Sequence, residues 1–453
     1  MNNLYKKNIE NIINYLLTFD VENIKFIWIK RIKKNNTIKK EVIVENVVLE
    51  DGYSISFDSH NVNFMLALDK LNNFNHIKNQ IKLFLKSNNI KKIKNIKKFK
   101  LESVSCFNKN KNKSVFDCKK YQEEIIKFLN NNSNTSISIQ LLYENKNTLI
   151  VRPFIKNIYK EEFNYKMDIL MNYIVNKLHR FNYKSIGSAN NFEKILNFNI
   201  HNEFVNLQKT LLKMDTLHNF EQKCDVVICK GIGGILFHEI CGHSLESREI
   251  IKKNSIFYDV KDVNNKNINF IDDATIVNEF GFYNIDDEGN TSKKLPLIKN
   301  GKIVNYLCDE RGKKILLQKF SSSCRRETYY NKFSSRMSNT YIEKGNCEVK
   351  DIVTSVENGF YIKNILGGVV DTTSGNFSFN CLESYRIKNG LIDFSKCYDN
   401  LTIVGNAMQI IKNVDKIGND FELNCGICGS DSGFVYTTVG QPTIKVKDVL
   451  VVS

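Results

Sequence analysis

The spacing of apolar residues in the first part of the chain predicts a mixture of strands and helices. Apolar residues dominate KEVIVENVVL (40–49), and every second residue is apolar in SISIQLL (136–142), so we expect a strand in each segment. The longer segment FNYKMDILMNYIVNKLHRF (163–181) carries apolar side chains at helical spacing, which predicts an amphipathic helix. Those side chains belong to Phe163, Met167, Leu170, Met171, Ile174 and Leu178. We therefore expect an α/β domain that ends between residues 185 and 220.

The pattern changes in the second part of the chain. The β-branched run Asp225–Cys229 predicts a buried strand, and Gly231, Gly233 and Gly234 allow a tight turn into a following helix. Beyond residue 265, short apolar runs alternate with turn residues, and Asn-Gly pairs recur, as in IKNGKIVNYL and RIKNGLIDF. Asn-Gly is typical of tight hairpin turns, so this part is expected to be mostly antiparallel β-sheet.

Glycine usage and chain length both favour two domains. Of 22 glycines, only Gly52 and Gly187 precede residue 231. A chain of 453 residues also exceeds the size of one typical hydrophobic core. We predict an α+β protein with an N-terminal α/β domain (1–200) and a C-terminal domain (201–453) that is mostly antiparallel β-sheet and carries the helix after the glycines.

Charge and cysteine content narrow the possible partners and location. The formal net charge is +16, with the densest basic run at KKIKNIKKFK (91–100), but Lys, Asn and Ile are abundant throughout and no nucleic-acid-binding motif accompanies the run. We therefore expect no nucleic-acid partner. No signal peptide and no apolar stretch of membrane-spanning length is present, which indicates a cytoplasmic protein that does not bind membranes. The twelve cysteines are scattered without the spacing pattern of a disulfide framework, so we expect them to be reduced.

The sequence HEICGH combines two imidazoles with a carboxylate on the predicted helix. In the common zinc motif HExxH, the histidines are four residues apart and lie about 40° from each other around the helix axis. His238 and His243 are five apart, which is about 140° on a regular helix and too far for one ion. Either the helix widens by one residue, a π-bulge that Gly242 would ease, or the histidines act separately. Glu246 and Glu249 are either further ligands or ordinary polar helix residues.

The segment GGILFHEICGHSLE resembles the helix of the TldD/PmbA metallopeptidases, whose TldD members carry HExxxH followed by Leu-Glu. Further segments resemble this family in the same order along residues 222–446. They are IDDEG (285–289), LIKNGKIVNYLCD (297–309), RRETYYNKFSSRMSNTYIEKG (325–345), GGVVDTTSGNFSFN (367–380) and GICGSDSGFVYTTVGQPTIKV (426–446). The first 200 residues resemble the family only faintly, and EDGYSISFDSH (50–60) is at best a poorly preserved form of a family segment.

The resemblance implies a zinc site and a catalytic base. It assigns Zn²⁺ to His238, His243 and Cys428, and three protein ligands leave one position for water or substrate, as catalytic zinc requires. It also implies that Glu239 is the general base that activates the metal-bound water. Cys425 and Cys428 form a CxxC, so a redox pair or half of a structural zinc site is a second reading of this segment.

The implied activity is that of a zinc-dependent peptidase that hydrolyses peptide bonds in unfolded or modified peptides. An extended peptide would dock as an added β-strand. The family resemblance further implies a dimer, either of two copies of this chain or of this chain with a metal-free homologue. The alternative from another class is a catalytically silent partner that binds peptide or stabilises a complex and keeps zinc as a structural element.

Overall fold

The computed structural model describes residues 3–59, 62–71, 74–93, 97–101, 104–107, 116–132, 134–175 and 178–453. Small parts of three segments discussed above lie outside these residues, namely residue 60, residues 94–96 and residues 176–177. The fold contains helices and three β-sheets, which confirms the predicted α+β class. None of the helices in the described residues is long and apolar enough to span a lipid bilayer.

The first sheet has seven strands. They are β1 (Glu22–Ile38), β2 (Ile43–Ser59), β3 (Val62–Leu68), β4 (Ser105–Phe107), β5 (Thr135–Arg152), β6 (Lys156–Val175) and β7 (Leu178–Ala189). Their order is β3-β2-β1-β5-β6, and both β4 and β7 pair with the free edge of β6. The pairs are antiparallel except for β4 with β6. The helices that precede β5 share buried clusters with this sheet: α1 (Asn3–Leu16), α2 (Phe74–Ser87) and α3 (Cys118–Leu129).

The strands predicted at 40–49 and 136–142 are present within β2 and β5, but the helix predicted over residues 163–181 is wrong. Most of that segment forms β6 and β7, which pair as a long hairpin with Asn164 opposite Ala189. The buried apolar side chains of this segment follow a period of two rather than a helical period. They are Phe163, Tyr165, Met167, Ile169 and Met171. Strand β5 lies on the other side of β6, so backbone pairing on both sides decides the local structure.

The connection between the halves is helical. After α4 (Glu193–Leu196), α5 (Ile200–Lys213) contributes Phe204 and Leu211 to a buried cluster that includes Met167 of the first sheet and Tyr385 of a later strand. The helix therefore lies in a core that both halves share. We keep the boundary at residue 200 as a proposed division of the chain.

The second half contains the other two sheets. Its strands are β8 (Met214–Asp215), β9 (Glu221–Ile228), β10 (Phe270–Asp273), β11 (Lys294–Lys299), β12 (Lys302–Ile303), β13 (Asn339–Ile342), β14 (Asn358–Val370), β15 (Asn376–Lys388), β16 (Leu391–Tyr398), β17 (Leu401–Asn406), β18 (Val414–Ile417), β19 (Glu422–Ser430), β20 (Gly433–Gln441) and β21 (Ile444–Val452). Its helices are α6 (Ile235–Phe237), α7 (Ser247–Lys252), α8 (Glu310–Ile315), α9 (Val349–Thr354) and α10 (Ala407–Asn413).

One of these sheets has the order β12-β11-β10-β13-β20-β19, and the other has the order β14-β9-β21-β17-β15-β16-β8 with β18 beside β21. Because β14 also pairs with β15, the five strands from β14 to β15 close into a ring. Among the described pairs of this half, β13–β20, β9–β14 and β8–β16 are parallel and the rest are antiparallel. The predicted antiparallel character of this half is therefore confirmed.

Buried charges join the first sheet to the second half. Asp287 lies 2.8 Å from Nζ of Lys160 and 3.4 Å from Nζ of Lys146, and Lys25 forms an ion pair with Glu288. Burial alone would raise the pKa of Asp287, but the two ammonium groups outweigh burial and lower it well below its ordinary value. The segment IDDEG is thus a contact between the two halves.

Candidate metal centre

Glycines allow the helix that carries HEICGH to begin against strand β20. The backbone at Gly231 has φ +78°, a left-handed conformation that favours glycine. Gly234 lies so close to the backbone of Gly440 that a Cβ atom there would be 2.6 Å from its nitrogen. The chain can therefore turn from β9 into the helix with the backbones of Gly234 and Gly440 in close contact.

The helix widens between the two histidines, as their spacing predicts. Residues His238–Gly242 form a π-helical turn, and the backbone N–H of His243 donates to the carbonyl of His238, five residues earlier. This extra residue brings both imidazoles to the same side, with ring centroids 5.5 Å apart. A Cβ atom at Gly242 would overlap Sδ of the buried Met337, so glycine also permits close packing at this turn.

Cys428 reaches the two histidines from near the end of β19. Its sulfur lies 3.3 Å from Nε2 of His243, although 185 positions separate the two residues in the sequence. One ligand atom from each of His238, His243 and Cys428 lies within 4.8 Å of the other two. The structure therefore brings together the three residues that the family resemblance assigned to the metal.

The other nitrogen of each imidazole is held by a neighbouring side chain. Nδ1 of His238 lies 2.8 Å from Oγ1 of Thr340, and Nδ1 of His243 lies 3.2 Å from Oε1 of Glu246. Metal-binding histidines commonly bond in this way through the nitrogen that does not face the ion. Glu246 is fully buried and contacts the imidazole rather than joining the three-residue group, and Glu249 forms an ion pair with Arg248 at 2.9 Å.

The arrangement favours a thiolate at Cys428. Burial raises the pKa of this thiol, but hydrogen bonds with His238 and His243 outweigh burial and lower the pKa to about 4. The contact between Cys428 and His243 also shifts the pKa of the imidazole, in the opposite direction. Burial lowers the pKa of the His243 imidazole, while the bonds to Cys428 and Glu246 raise it well above the ordinary value. A thiolate beside two imidazoles is a set of donors suited to a metal ion.

Glu239 and Cys425 have different positions relative to this group. Oε2 of Glu239 lies 3.7 Å from Nε2 of His243, and a quarter of the Glu239 side chain is exposed. Cys425 is also on β19, but it packs with Phe280 and Tyr436, and burial raises the pKa of its thiol to about 12. Residues three apart on a strand point to opposite faces, so the two cysteines of CGIC do not meet as a pair.

A cavity of about 770 Å³ opens beside the three-residue group. His238 and Glu239 lie in its lining, with residues of β7 from the first half, of the connecting helix α5, and of β19 from the second half. Within the described residues, β19 ends its sheet and β7 pairs only with β6, so each strand has one unpaired backbone edge. The cavity is large enough for a segment of peptide.

The sequence did not reveal the residues that orient the ligands. Thr340 lies in a segment quoted above only for its family resemblance, and it is 102 positions from His238. Glu246 was considered as a possible ligand, whereas its carboxylate contacts the imidazole of His243. No sequence spacing predicts contact between a threonine and a histidine that are 102 positions apart. The only sign of a role for Thr340 was its occurrence within the segment 325–345.

Comparisons with known proteins give a consistent assignment for the second half. Residues 221–453 match the family described as the PmbA/TldA metallopeptidase C-terminal domain. A metalloprotease TldD homolog of Buchnera aphidicola is 35% identical over 245 residues, which are 53% of this chain and 50% of that protein. The TldD homolog of Haemophilus influenzae is 34% identical over 230 residues, 50% of this chain and 47% of that protein.

A protein called zinc metalloprotease TldD homolog in Saccharolobus solfataricus is 26% identical over 258 residues, 56% of this chain and 57% of that protein. The chain thus spans about half the length of the curated relatives it matches.

Solved structures extend the likeness of fold to the first half. TldE from Thermococcus kodakarensis has a TM-score of 0.71 over 98% of this chain and 100% of its own, at 14% identity. A protein from Thermotoga maritima, described as a putative modulator of a DNA gyrase, has a TM-score of 0.75 over 100% of both chains, at 12% identity. At such identities the likeness concerns the fold alone.

Proposed function

The chain belongs to the PmbA/TldD metallopeptidase family, and on that premise we propose that it is a zinc-dependent peptidase acting on unfolded or modified peptides. His238, His243 and Cys428 would hold the metal, and Glu239 would act as the general base. The observation that carries this proposal is the grouping of three ligand atoms within 4.8 Å beside a large cavity.

The chemistry of the three ligands fits zinc. Zn–S bonds are about 2.3 Å and Zn–N bonds about 2.0–2.1 Å, so the ligand atoms of a tetrahedral site are roughly 3.5 Å apart. The separation of 3.3 Å between the Cys428 sulfur and Nε2 of His243 agrees with that value. Three ligands from the protein also leave a coordination position for a non-protein ligand, which is characteristic of catalytic rather than structural zinc.

The proposed chemistry divides the work between the metal and the side chains. Bound zinc would supply Lewis-acid activation of water and of the peptide carbonyl. Glu239 lines the cavity and has its carboxylate near His243, so Oε2 is the atom that we expect to accept a proton from the attacking water. The same atom would then deliver the proton to the leaving amide nitrogen. Thr340 and Glu246 would keep the imidazole rings in their orientations.

An extended peptide is the substrate shape that the cavity supports. Strand β19 carries Cys428 and lines the cavity, and its unpaired backbone edge is suited to main-chain hydrogen bonds with an added strand. Strand β7, which also lines the cavity and packs against β19 where Gly187 approaches Cys425, has a second unpaired edge among the described residues. Recognition through the backbone would make cleavage depend on extended conformation more than on side-chain sequence.

We further propose that the protein works in the cytoplasm as a dimer. The partner would be a second copy of this chain or a metal-free homologue, and the likeness of fold to a protein named TldE supports a partner of the same fold. Twelve unpaired cysteines are typical of a reducing compartment, which supports the cytoplasmic location.

The decisive experiment measures metal content and peptide cleavage on the same preparation. The reduced protein should bind zinc stoichiometrically and degrade an unfolded peptide, and a chelator should abolish cleavage until zinc is restored. Each assay is repeated in a mixture with a metal-free homologue. Bound zinc without cleavage in either setting would favour the catalytically silent partner, and absence of metal uptake would contradict the proposed site.

A further inference from the structure

A fully buried arginine lies beside the metal-binding group without belonging to it. Arg336 has no exposed surface, and its Nη2 donates to the carbonyl oxygen of Cys428 at 2.6 Å. Its Nη1 donates to Oγ of Ser432 at 2.7 Å and to the carbonyl oxygen of Gly433 at 2.9 Å. The guanidinium therefore holds the end of β19 and the turn into β20, which carry the sulfur ligand.

The same guanidinium faces the histidine side of the group. Its Nε lies 4.0 Å from Oε1 of Glu246, which is the oxygen that contacts Nδ1 of His243. One side chain thus connects the backbone of the sulfur ligand with the carboxylate that orients an imidazole ligand.

The guanidinium of Arg336 makes contacts in two directions. A buried guanidinium loses its hydration, and both Nη groups of Arg336 recover hydrogen bonds from β19 and the turn after it. Its Nε has no hydrogen-bond partner among the described residues and faces the Glu246 carboxylate. The planar fork of arginine fixes the direction of Nε once both Nη groups are bonded, and lysine has no equivalent geometry.

The residues that follow Arg336 support this connection. Met337 packs on Gly242 within the π-helical turn, and Thr340 holds Nδ1 of His238. The short segment 336–340 therefore contacts the surroundings of all three ligands, although it supplies none of them. Arg336 is its charged member and the one that reaches the elements of both Cys428 and His243.

We propose that Arg336 is a positioning residue for the metal centre, which sets the distance between the Cys428 sulfur and the His243 imidazole through its bonds to β19 and its ion pair with Glu246. This inference rests on the proposed zinc site. Loss of such a supporting contact typically lowers metal affinity 10- to 100-fold.

The test compares two equally buried arginines. Arg336→Lys keeps the positive charge but loses the fork, and Arg326→Lys is the matched control. Arg326 is 1% exposed and donates to Oγ of Ser54 and to the carbonyls of Tyr329 and Asn331, away from the three ligands. Zinc affinity is measured by competition with a chromophoric chelator, and the Co²⁺-loaded proteins are compared by absorption spectroscopy, which reports ligand geometry.

We expect Arg336→Lys to bind zinc 10- to 100-fold more weakly and to change the Co²⁺ spectrum, while Arg326→Lys keeps both properties even where it lowers stability. If Arg336→Lys does not fold, Ser432→Ala removes one acceptor of the guanidinium and should produce a smaller change in the same direction.

Unchanged zinc affinity and an unchanged spectrum in the folded Arg336 variant, or in Ser432→Ala if that variant has to replace it, would overturn the positioning role. The proposed function would survive that result as long as the unaltered protein binds zinc and cleaves peptide. Failure of the unaltered protein to bind zinc would remove both proposals.

Discussion

Glu239 and His243 lie close together at the cavity, but their chemical environments differ. His243 bonds to Cys428 and Glu246 on its two nitrogens, which is the pattern of a ligand with an orienting partner. Glu239 is partly exposed, and its carboxylate has no comparable orienting partner among the described residues. A group that exchanges protons with a bound substrate needs this access to the cavity. The two residues should therefore respond differently to substitution.

Replacing Glu239 should separate catalysis from metal binding. Glu239→Gln preserves the size of the side chain but cannot accept a proton, so peptide cleavage should fall about 10²- to 10⁴-fold while zinc content stays unchanged. Steady-state cleavage and metal analysis of the same samples provide the measurement. Full cleavage by the zinc-loaded variant would show that another group acts as the base.

Replacing Cys428 should have the opposite effect. Cys428→Ser removes the thiolate and should lower zinc affinity by more than the 10- to 100-fold expected for loss of a supporting residue. Cys425→Ser is the matched control, since that thiol lies on the same strand and is also buried, but packs against Phe280 and Tyr436 instead of the two histidines. Equal zinc binding by both variants would move the third ligand to another residue, with Glu246 the next candidate.

Among single residues, sequence reasoning named the three proposed ligands but not the side chains that contact them. The two histidines and Cys428 stand in segments that resemble a known family, so their grouping could be anticipated. Arg336 is 92 positions from Cys428 and Thr340 is 102 positions from His238, and no spacing rule connects such pairs. Contacts of this kind depend on how β13 is placed against β20 and the helix.

Among the elements, the π-helical turn is one of two alternatives that the spacing of the histidines left open. The histidines are five positions apart, and only a widened turn places both imidazoles on one side of the helix. The same kind of reasoning was wrong for residues 163–181, where apolar positions satisfy two periods at once. Pairing of β6 with strands on both sides decides that segment, and such pairing cannot be seen from the segment itself.

Close packing at the widened turn predicts a coupling between two residues. Gly242→Ala places a Cβ atom against Sδ of Met337, and such overpacking costs about 1–3 kcal/mol of unfolding free energy. In a Met337→Ala background the clash disappears, and the change to alanine should become neutral or stabilising by roughly 0.5–1 kcal/mol, as expected within a helix. Urea unfolding of the four proteins measures this cycle.

A second glycine provides the control for this cycle. A Cβ atom at Gly426 would lie 3.5 Å from Oγ1 of Thr437, an ordinary contact, so Gly426→Ala should not depend on Met337. If the cost of Gly242→Ala is the same with and without Met337, the close approach of these two residues is not what requires glycine.

For the whole molecule, the two halves differ in what they contribute to the site. All three proposed ligands and Glu239 come from the second half, where sequence likeness to known proteins is found. The first half contributes β7 to the lining of the cavity, and its fold is like that of solved structures that are only 12% and 14% identical to this chain. If the proposed peptide binds through its backbone, this lining would constrain side-chain identity less than the proposed metal ligands do.

The buried ion cluster between the halves should make the free energy of unfolding depend on pH. The pKa of Asp287 is held well below its unfolded value by Lys146 and Lys160. A lowered carboxyl pKa contributes stability above the unfolded pKa of about 4, and that contribution is lost progressively as pH falls further. Asp287→Asn leaves both buried lysines without this partner and should cost about 3–5 kcal/mol at neutral pH.

The cost of this substitution should itself change with pH. Below about pH 4 the difference in unfolding free energy between the unaltered protein and Asp287→Asn should narrow by about 1.4 kcal/mol per pH unit, because only the unaltered protein has a carboxylate at residue 287 that takes up a proton on unfolding. Urea unfolding at neutral pH and at several values below pH 4 measures the difference, with Glu41→Gln, whose side chain is 84% exposed, as the control. A difference that stays constant with pH would mean that the Asp287 carboxylate does not hold the two halves together through its charge.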